Sequence, residues 1–192
     1  MIGKLPHSRS DHVVVAVGAT LYVLGGYDGT NIVADVVSTT DGTTFTKVGV
    51  LPVPVRYPAV AVIGKSIYLF GGVSNSQAGI DTAAVQRLDT TSGAIDVVAQ
   101  LPTSLSHASA VVLKSEVLLL GGYIRNTKLS DQILRFDPVT STAVPTGHLP
   151  SPISDAAAAV IRDHAYLIGG QGADRAPLTA VTIITARSSA HL

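Results

Sequence analysis

Blocks of apolar and polar residues recur four times along the chain. In each unit a short apolar run, a turn of three residues and a second apolar run end at a pair of glycines. Short apolar runs bounded by Gly-containing or polar turns are typical of buried β-strands joined as a hairpin. The pattern predicts four such hairpins, with first strands at residues 12–17, 58–63, 108–113 and 156–161 and second strands at residues 21–24, 67–70, 117–120 and 165–168.

Two further strands follow most glycine pairs. Third strands are predicted at residues 33–39, 83–88, 132–136 and 180–185, and fourth strands at residues 45–49, 95–99 and 143–147. Four antiparallel strands per unit, repeated around an axis, form a β-propeller. A flat stack of sheets is the alternative, and it is disfavoured because only ring closure hides the edges of the first and last sheets.

The spacing of the units is nearly constant. Leu-Pro pairs begin at residues 5, 51, 101 and 149, in steps of 46, 50 and 48 residues, and diglycines begin at residues 25, 71, 121 and 169. A fixed period of this size marks a repeat architecture. We therefore expect one domain over residues 1–192, with repeats at 5–50, 51–100, 101–148, and 149–192 plus 1–4. The diglycines are expected where the backbone needs positive φ or passes close to a neighbour.

The repeated residues resemble those of the kelch-repeat propellers over the whole chain. A tyrosine precedes the diglycine in three units (Tyr22, Tyr68 and Tyr166), an aspartate marks a later turn, and Leu-Pro closes each repeat. The family usually has a tryptophan at the start of the fourth strand, where this chain has Phe45, Ile95 and Ala143. The resemblance implies an all-β, kelch-like β-propeller with four four-stranded antiparallel blades, and partner binding through the loops of one face.

The phase of the repeat predicts how the ring closes. Residues 191–192 align with the start of a fourth strand, and residues 1–4 align with the rest of that strand. We therefore expect the N-terminal strand to complete the last blade. Members of the kelch-repeat family, which this chain resembles, usually have more than four blades. A homodimer that forms an eight-bladed ring is therefore favoured over a monomeric four-bladed ring. Closed twofold assemblies are also the commonest homo-oligomers.

Composition removes several function classes. The formal net charge is zero and 14% of residues are charged, which disfavours binding to nucleic acid through a basic surface. The apolar runs are far too short to span a bilayer. The chain has no cysteine, so disulfides, thiolate zinc sites and cysteine nucleophiles are excluded, as is the cysteine-linked tyrosine of kelch-type copper oxidases.

The candidate binding residues lie where the loops of one face converge. The loop before the first strand and the loop after the second strand share one face of an antiparallel blade, and Asp11, Tyr57, His107 and Asp155 occupy the same place in the four units. We expect these four to form a ring near the mouth of a central channel, which is the usual kind of binding site. The predicted binding set is Arg9, Asp11, Arg56, Tyr57, His107, Tyr123, Arg125 and Asp155.

A non-catalytic binding or interaction module is the favoured function. The sequence has no Gly-x-Ser-x-Gly elbow, His-Glu-x-x-His or phosphate-loop motif, and no cofactor or metal is expected. One alternative is a carbohydrate-acting enzyme with Asp11, His107 and Arg56 as a convergent acid–base set, because some kelch-like propellers act on sugars. Another is a structural half-propeller that assembles into a larger ring.

Overall fold

The computed structural model describes residues 2–75, 79–125 and 127–185, and these form successive antiparallel β-sheets. The predicted all-β class is therefore confirmed. Among the described residues, no helix is long and apolar enough to cross a membrane. The first sheet has the order β1-β2-β3-β4, with strands β1 (Val13–Val17), β2 (Thr20–Leu24), β3 (Asp35–Thr39) and β4 (Thr46–Val50).

The second sheet repeats this arrangement with the order β5-β6-β9-β10, and a small hairpin of β7 and β8 projects between β6 and β9. Its strands are β5 (Ala59–Ile63), β6 (Ser66–Phe70), β7 (Val73–Asn75), β8 (Ile80–Asp81), β9 (Ala84–Asp89) and β10 (Ile95–Gln100). The third sheet has the order β12-β13-β16-β17, beside a small sheet of order β11-β14-β15. These strands are β11 (Leu105–Ser106), β12 (Ser109–Leu113), β13 (Glu116–Leu120), β14 (Tyr123–Ile124), β15 (Lys128–Leu129), β16 (Gln132–Asp137) and β17 (Thr142–His148).

The fourth sheet has three described strands, in the order β18-β19-β20. They are β18 (Ala157–Ile161), β19 (His164–Ile168) and β20 (Val181–Thr185), with a 3-10 turn at Ala173–Arg175 before β20. The strand predicted to complete this sheet is not seen within one chain, because residues 2–4 form no strand and Gly3 lies against Gly42 and Thr43 of the first sheet. Met1 and residues 186–192 lie outside the described residues, so completion by another chain stays a prediction.

The hairpins differ from the sequence expectation in their turns. Thr20 pairs with Val17, so the first hairpin turns through Gly18 and Ala19 alone, and the predicted three-residue turn is wrong. The other three hairpins turn in the same way. The first turn residue has positive φ in each hairpin, which lets a two-residue loop match the twist of the strands; these residues are Gly18, Gly64, Lys114 and Arg162.

The hydrophobic core lies between the sheets. One cluster joins the first and second sheets through residues such as Leu24, Ile67 and Leu69. A second joins the second and third sheets around Phe70 and Phe136, whose rings meet edge to face with centroids 5.1 Å apart. A third joins the third and fourth sheets. At each of these three junctions two successive sheets bury the apolar faces that meet, which is how repeat units gain stability.

In the first three units the second glycine of the pair forms a hydrogen bond with the segment that begins the next unit. Gly26, Gly72 and Gly122 donate backbone hydrogen bonds of 2.9, 2.7 and 2.7 Å to the carbonyls of Val55, Leu105 and Ile153. Gly71, the first glycine of the second pair, has φ of +62°, and a Cβ there would overlap the carbonyl oxygen of Leu105. The expected close approach and positive φ are both present.

In each of the first three units an aspartate stabilises the turn between the third and fourth strands of the sheet. Asp89 Oδ1 accepts hydrogen bonds of 2.8 and 3.0 Å from the backbone of Thr91 and Ser92. Asp41 and Asp137 bind the corresponding backbone groups in their own turns. These hydrogen bonds favour the charged carboxylate and hold the pKa of Asp89 below its ordinary value.

Two glycine substitutions separate backbone strain from steric overlap. Gly64→Ala places a Cβ in open space at a φ of +59°, so we expect it to lower the free energy of unfolding by about 1–2 kcal/mol, the usual left-handed penalty. Gly71→Ala adds an overlap with backbone at the sheet junction, and we expect a loss above about 3 kcal/mol. Urea unfolding of both variants measures the difference, and equal losses would contradict the proposed role of the junction.

The turn aspartates predict a loss of stability in acid. Because the pKa of Asp89 is lower in the folded than in the unfolded chain, its contribution is full above the unfolded pKa of about 3.9 and is lost as pH falls through the folded pKa. Asp89→Asn keeps an acceptor oxygen but cannot ionise. The stability difference between wild type and this variant should shrink as pH is lowered from neutrality to well below the unfolded pKa in urea unfolding, and a constant difference would contradict the prediction.

Candidate functional site

Four equivalent residues, one per unit, share an unusual backbone conformation. Asp11, Tyr57, His107 and Asp155 have φ of +59°, +54°, +55° and +54°, and none is a glycine. Tyr57 donates its backbone hydrogen to the carbonyl of Asp11 at 3.0 Å, His107 to Tyr57 at 3.1 Å, and Asp155 to His107 at 3.0 Å. We call these four residues the left-handed row. Strained conformations of this kind persist where surrounding structure imposes them, often at functional sites.

Short strand pairs position the row. The residue before each member of the row pairs antiparallel with the residue that follows a diglycine: Ser10 with Tyr27, Arg56 with Val73, Ser106 with Tyr123, and Ser154 with Gln171. The loop before each first strand is thereby tied to the loop after each second strand. Both kinds of loop lie on one face, as the antiparallel order predicts.

The side chains of the row contact one another. The rings of Tyr57 and His107 stack with centroids 4.0 Å apart, and Tyr123 meets His107 edge to face at 5.6 Å. His107 Nδ1 donates a hydrogen bond of 2.7 Å to Asp155 Oδ1. The carboxylate therefore orients the imidazole, and the aromatic rings hold its faces.

Arg56 adds a positive charge at the other end of this cluster. Its Nη1 lies 3.6 Å from Asp11 Oδ2, and its guanidinium carbon lies 4.8 Å from the centre of the Tyr27 ring, within cation–π range. The buried Nε of Arg56 has no hydrogen-bond partner among the described residues. A buried donor without an acceptor is costly, so this nitrogen is an unsatisfied group beside the cluster.

Two groups of the cluster have altered acidity. Burial, together with the hydrogen bond and negative charge of Asp11, raises the pKa of Tyr57 above its ordinary value of 10.0. Burial acts to raise the pKa of Asp155, but the hydrogen bond and charge of His107 outweigh it and lower that pKa. Tyr57 is therefore a neutral hydroxyl and Asp155 a carboxylate at neutral pH.

These residues line one concave surface. A cavity of about 510 Å³ is bounded by Arg56, Tyr57, His107, Tyr123, Asp155, Gln171 and Arg175. A smaller hollow of about 200 Å³ shares Tyr57, His107 and Asp155 with it and reaches Asp11. Six of the eight sequence-predicted binding residues therefore line one or other of these two hollows. Gln171 and Arg175 belong to the loop after the last diglycine, which the repeat places on this face without singling them out.

Arg9 and Arg125 do not line either hollow. Arg9 Nη1 donates hydrogen bonds of 3.1 and 2.9 Å to the carbonyls of Gly25 and Asp35, so this side chain is tied to the first sheet. Its repeat position corresponds to Val55, a buried residue of the sheet junction. Arg125 is exposed and lies in the loop after β14. A role for either residue in binding stays a prediction.

The described residues contain no group of three or more His, Cys, Asp or Glu side chains placed to hold a metal ion. His107, Asp11 and Asp155, which the sequence brings to one face, are instead engaged with aromatic, arginine and histidine partners. The arrangement can present hydrogen-bond donors and acceptors, a positive charge and aromatic faces to a bound molecule.

Comparisons with known proteins agree with this architecture. The family model for the KLHDC2/KLHL20/DRC7 Kelch-repeats domain matches residues 1–170. A solved structure of YjhT is similar in fold, with a TM-score of 0.79 and 16% sequence identity over 98% of this chain and 68% of that chain. No curated protein sequence matches. Because the family model spans most of the sequence, the chain belongs to the kelch-repeat domain family.

Proposed function

We propose that this chain is a non-catalytic binding module that takes a partner protein into the cavity of the left-handed row. The supporting observation is the convergence of loops from the last three units on one concave, polar and aromatic surface, with a backbone held in place by hydrogen bonds between units. Kelch-repeat domains are commonly protein-interaction modules, which favours a protein partner.

The lining residues indicate the chemistry of the partner. Arg56 and Arg175 line the cavity and carry positive charge. Tyr123 and the stacked Tyr57 and His107 offer aromatic surface. Arginine and aromatic side chains dominate the energy of many interfaces. A segment of the partner with an acidic side chain next to a flat or apolar group fits this surface.

A carbohydrate-acting enzyme is the second candidate, and one contact favours it. A carboxylate that orients a histidine through Nδ1, as Asp155 orients His107, is the arrangement of many general bases. YjhT shares the fold at an identity that carries no argument about activity. The cavity lining includes no serine, threonine or cysteine nucleophile among the described residues, so the attacking group of this candidate would be water, a carboxylate or a tyrosine hydroxyl.

Two arginines at opposite ends of the fourth sheet provide a test of the binding proposal and its matched control. Arg175 and Arg162 are both exposed and have φ of +58° and +56°, but Arg175 borders the cavity whereas Arg162 lies in the β18–β19 turn at the other end of the sheet. Arg175→Ala should weaken binding of an acidic peptide by about tenfold to a hundredfold, since a charged hydrogen bond contributes about 1.5–3 kcal/mol. Arg162→Ala should leave affinity unchanged.

The measurement begins with thermal-shift panels of short acidic peptides, matched neutral peptides and glycans, followed by calorimetry of any hit. Equal effects of the two arginine variants would place the ligand away from the cavity and contradict the proposal. Turnover of a glycan that Asp155→Asn slows while glycan binding persists would favour the enzyme instead.

A further inference from the structure

The outer face of the fourth sheet is uncovered, although the same face is covered in the other three sheets. At the last position of the second strand, Leu24, Phe70 and Leu120 are 0%, 0% and 1% exposed, whereas the equivalent Ile168 is 47% exposed. In the first three units this face packs on the following sheet. Val181 and Ile183 of β20 lie on the same uncovered face and are also exposed.

The first sheet has the complementary face, and this face is exposed only in part. Leu21 is 43% exposed, whereas its equivalents Ile67, Val117 and Ala165 are fully buried against the preceding sheet. Val14 lies on the same face of β1 and is 50% exposed, while Val23 and Val37 at the centre of the face are already buried within one chain. The described structure thus has an apolar surface at each end of the series of sheets, and the two surfaces are of the kinds that pack together three times within the chain.

Backbone groups at the two ends are complementary as well. The hydrogen bond from the second glycine of each pair to the next unit is made by Gly26, Gly72 and Gly122, but Gly170 has no such acceptor in the described structure. The acceptor position equivalent to Val55 is the carbonyl of Arg9, which is also unused among the described residues. The backbone hydrogen bonds along the left-handed row also stop at its two ends, because the Asp155 carbonyl and the Asp11 N–H form no hydrogen bond with each other in the described structure.

We infer that these two ends bind each other between two copies of this chain. The fourth sheet of one copy packs on the first sheet of the other, and the same contact forms a second time through the twofold axis, so that eight sheets form a closed ring. Ile168, Val181 and Ile183 of one copy cover Val14 and Leu21 of the other. The Gly170 N–H and the Asp155 carbonyl then meet the Arg9 carbonyl and the Asp11 N–H of the partner copy.

A second copy is the occupant that continues the interface already present. The chain repeats one sheet-to-sheet contact three times, with apolar side chains packed between the sheets and glycine–carbonyl hydrogen bonds at the junction. Each copy has one side of this contact on its fourth sheet and the other side on its first sheet. A contact between unlike surfaces produces a closed ring when the rotation closes and a filament when it does not.

Charged substitutions at the two ends test this inference. Light scattering and sedimentation of the wild-type chain at micromolar concentration should give twice the chain mass of 19.7 kDa. Val14→Asp and Val181→Lys each place a charge in both contacts of the dimer and should raise its dissociation constant at least about a hundredfold. Val139, an exposed valine in the turn between β16 and β17, supplies the matched controls Val139→Asp and Val139→Lys, which should leave the dimer intact.

Mixing the Val14→Asp and Val181→Lys variants separates the proposed contact from loss of folding. In the mixed dimer one contact is wholly wild type, and the other sets the introduced carboxylate against the introduced ammonium group. The mixture should therefore associate more tightly than either variant alone. Circular dichroism of each variant should match the wild type because both valines are exposed in the single chain.

The inference would be overturned by a monomeric wild type at concentrations up to about 100 μM, by an open series of larger masses, or by a dimer that survives Val14→Asp or Val181→Lys. Failure of the variants to recover association on mixing would also overturn it, because an interface between like surfaces predicts no recovery. None of these measurements uses a ligand for the cavity, so failure of the dimer can be distinguished from failure of the binding proposal.

Discussion

The contact between successive sheets is the constraint on which the other features of this chain depend. A single sheet of short strands has two apolar faces, and the chain covers those that meet at its three junctions by placing sheets side by side. Close packing requires the backbone of one unit to meet the backbone of the next, which explains why glycine stands at the junction. At Gly71 a methyl group would overlap the carbonyl oxygen of Leu105. The repeated diglycine is therefore a packing requirement.

The same junction produces the strained residues of the candidate site. The segment that receives the glycine hydrogen bond at Val55 continues directly into Tyr57, whose φ is +54°. Hydrogen bonds to the row residue of the preceding unit and to the loop after the diglycine hold this conformation. The chain can place Tyr57 and His107 there, where glycine would be less strained, because the neighbouring units fix the backbone. Rigid backbone with large side chains is well suited to recognition, since little entropy is lost on binding.

Much of this architecture could be predicted from sequence because it follows from local rules repeated four times. Strand positions, the exposed face of the loops and the meeting of Asp11, Tyr57, His107 and Asp155 all follow from periodicity. Arg9 could not be interpreted from its loop position, because its role depends on the carbonyls of Gly25 and Asp35, which only the folded first sheet brings close. The hairpin turns were predicted one residue too long because the pairing at their ends depends on strand twist, which residue type alone does not reveal.

The candidate site and the ends of the chain are physically connected. Asp11 and Asp155 contribute side chains to the hollows, and their backbone groups are the two ends of the left-handed row. If two copies close the ring, each cavity lies beside a junction between chains, and the two cavities share one channel. Binding of a ligand to Asp155 and Arg56 then stabilises the row on which closure depends, while closure limits the motion of the row. By thermodynamic linkage each event would strengthen the other to the same degree, because a free-energy coupling between two equilibria is reciprocal.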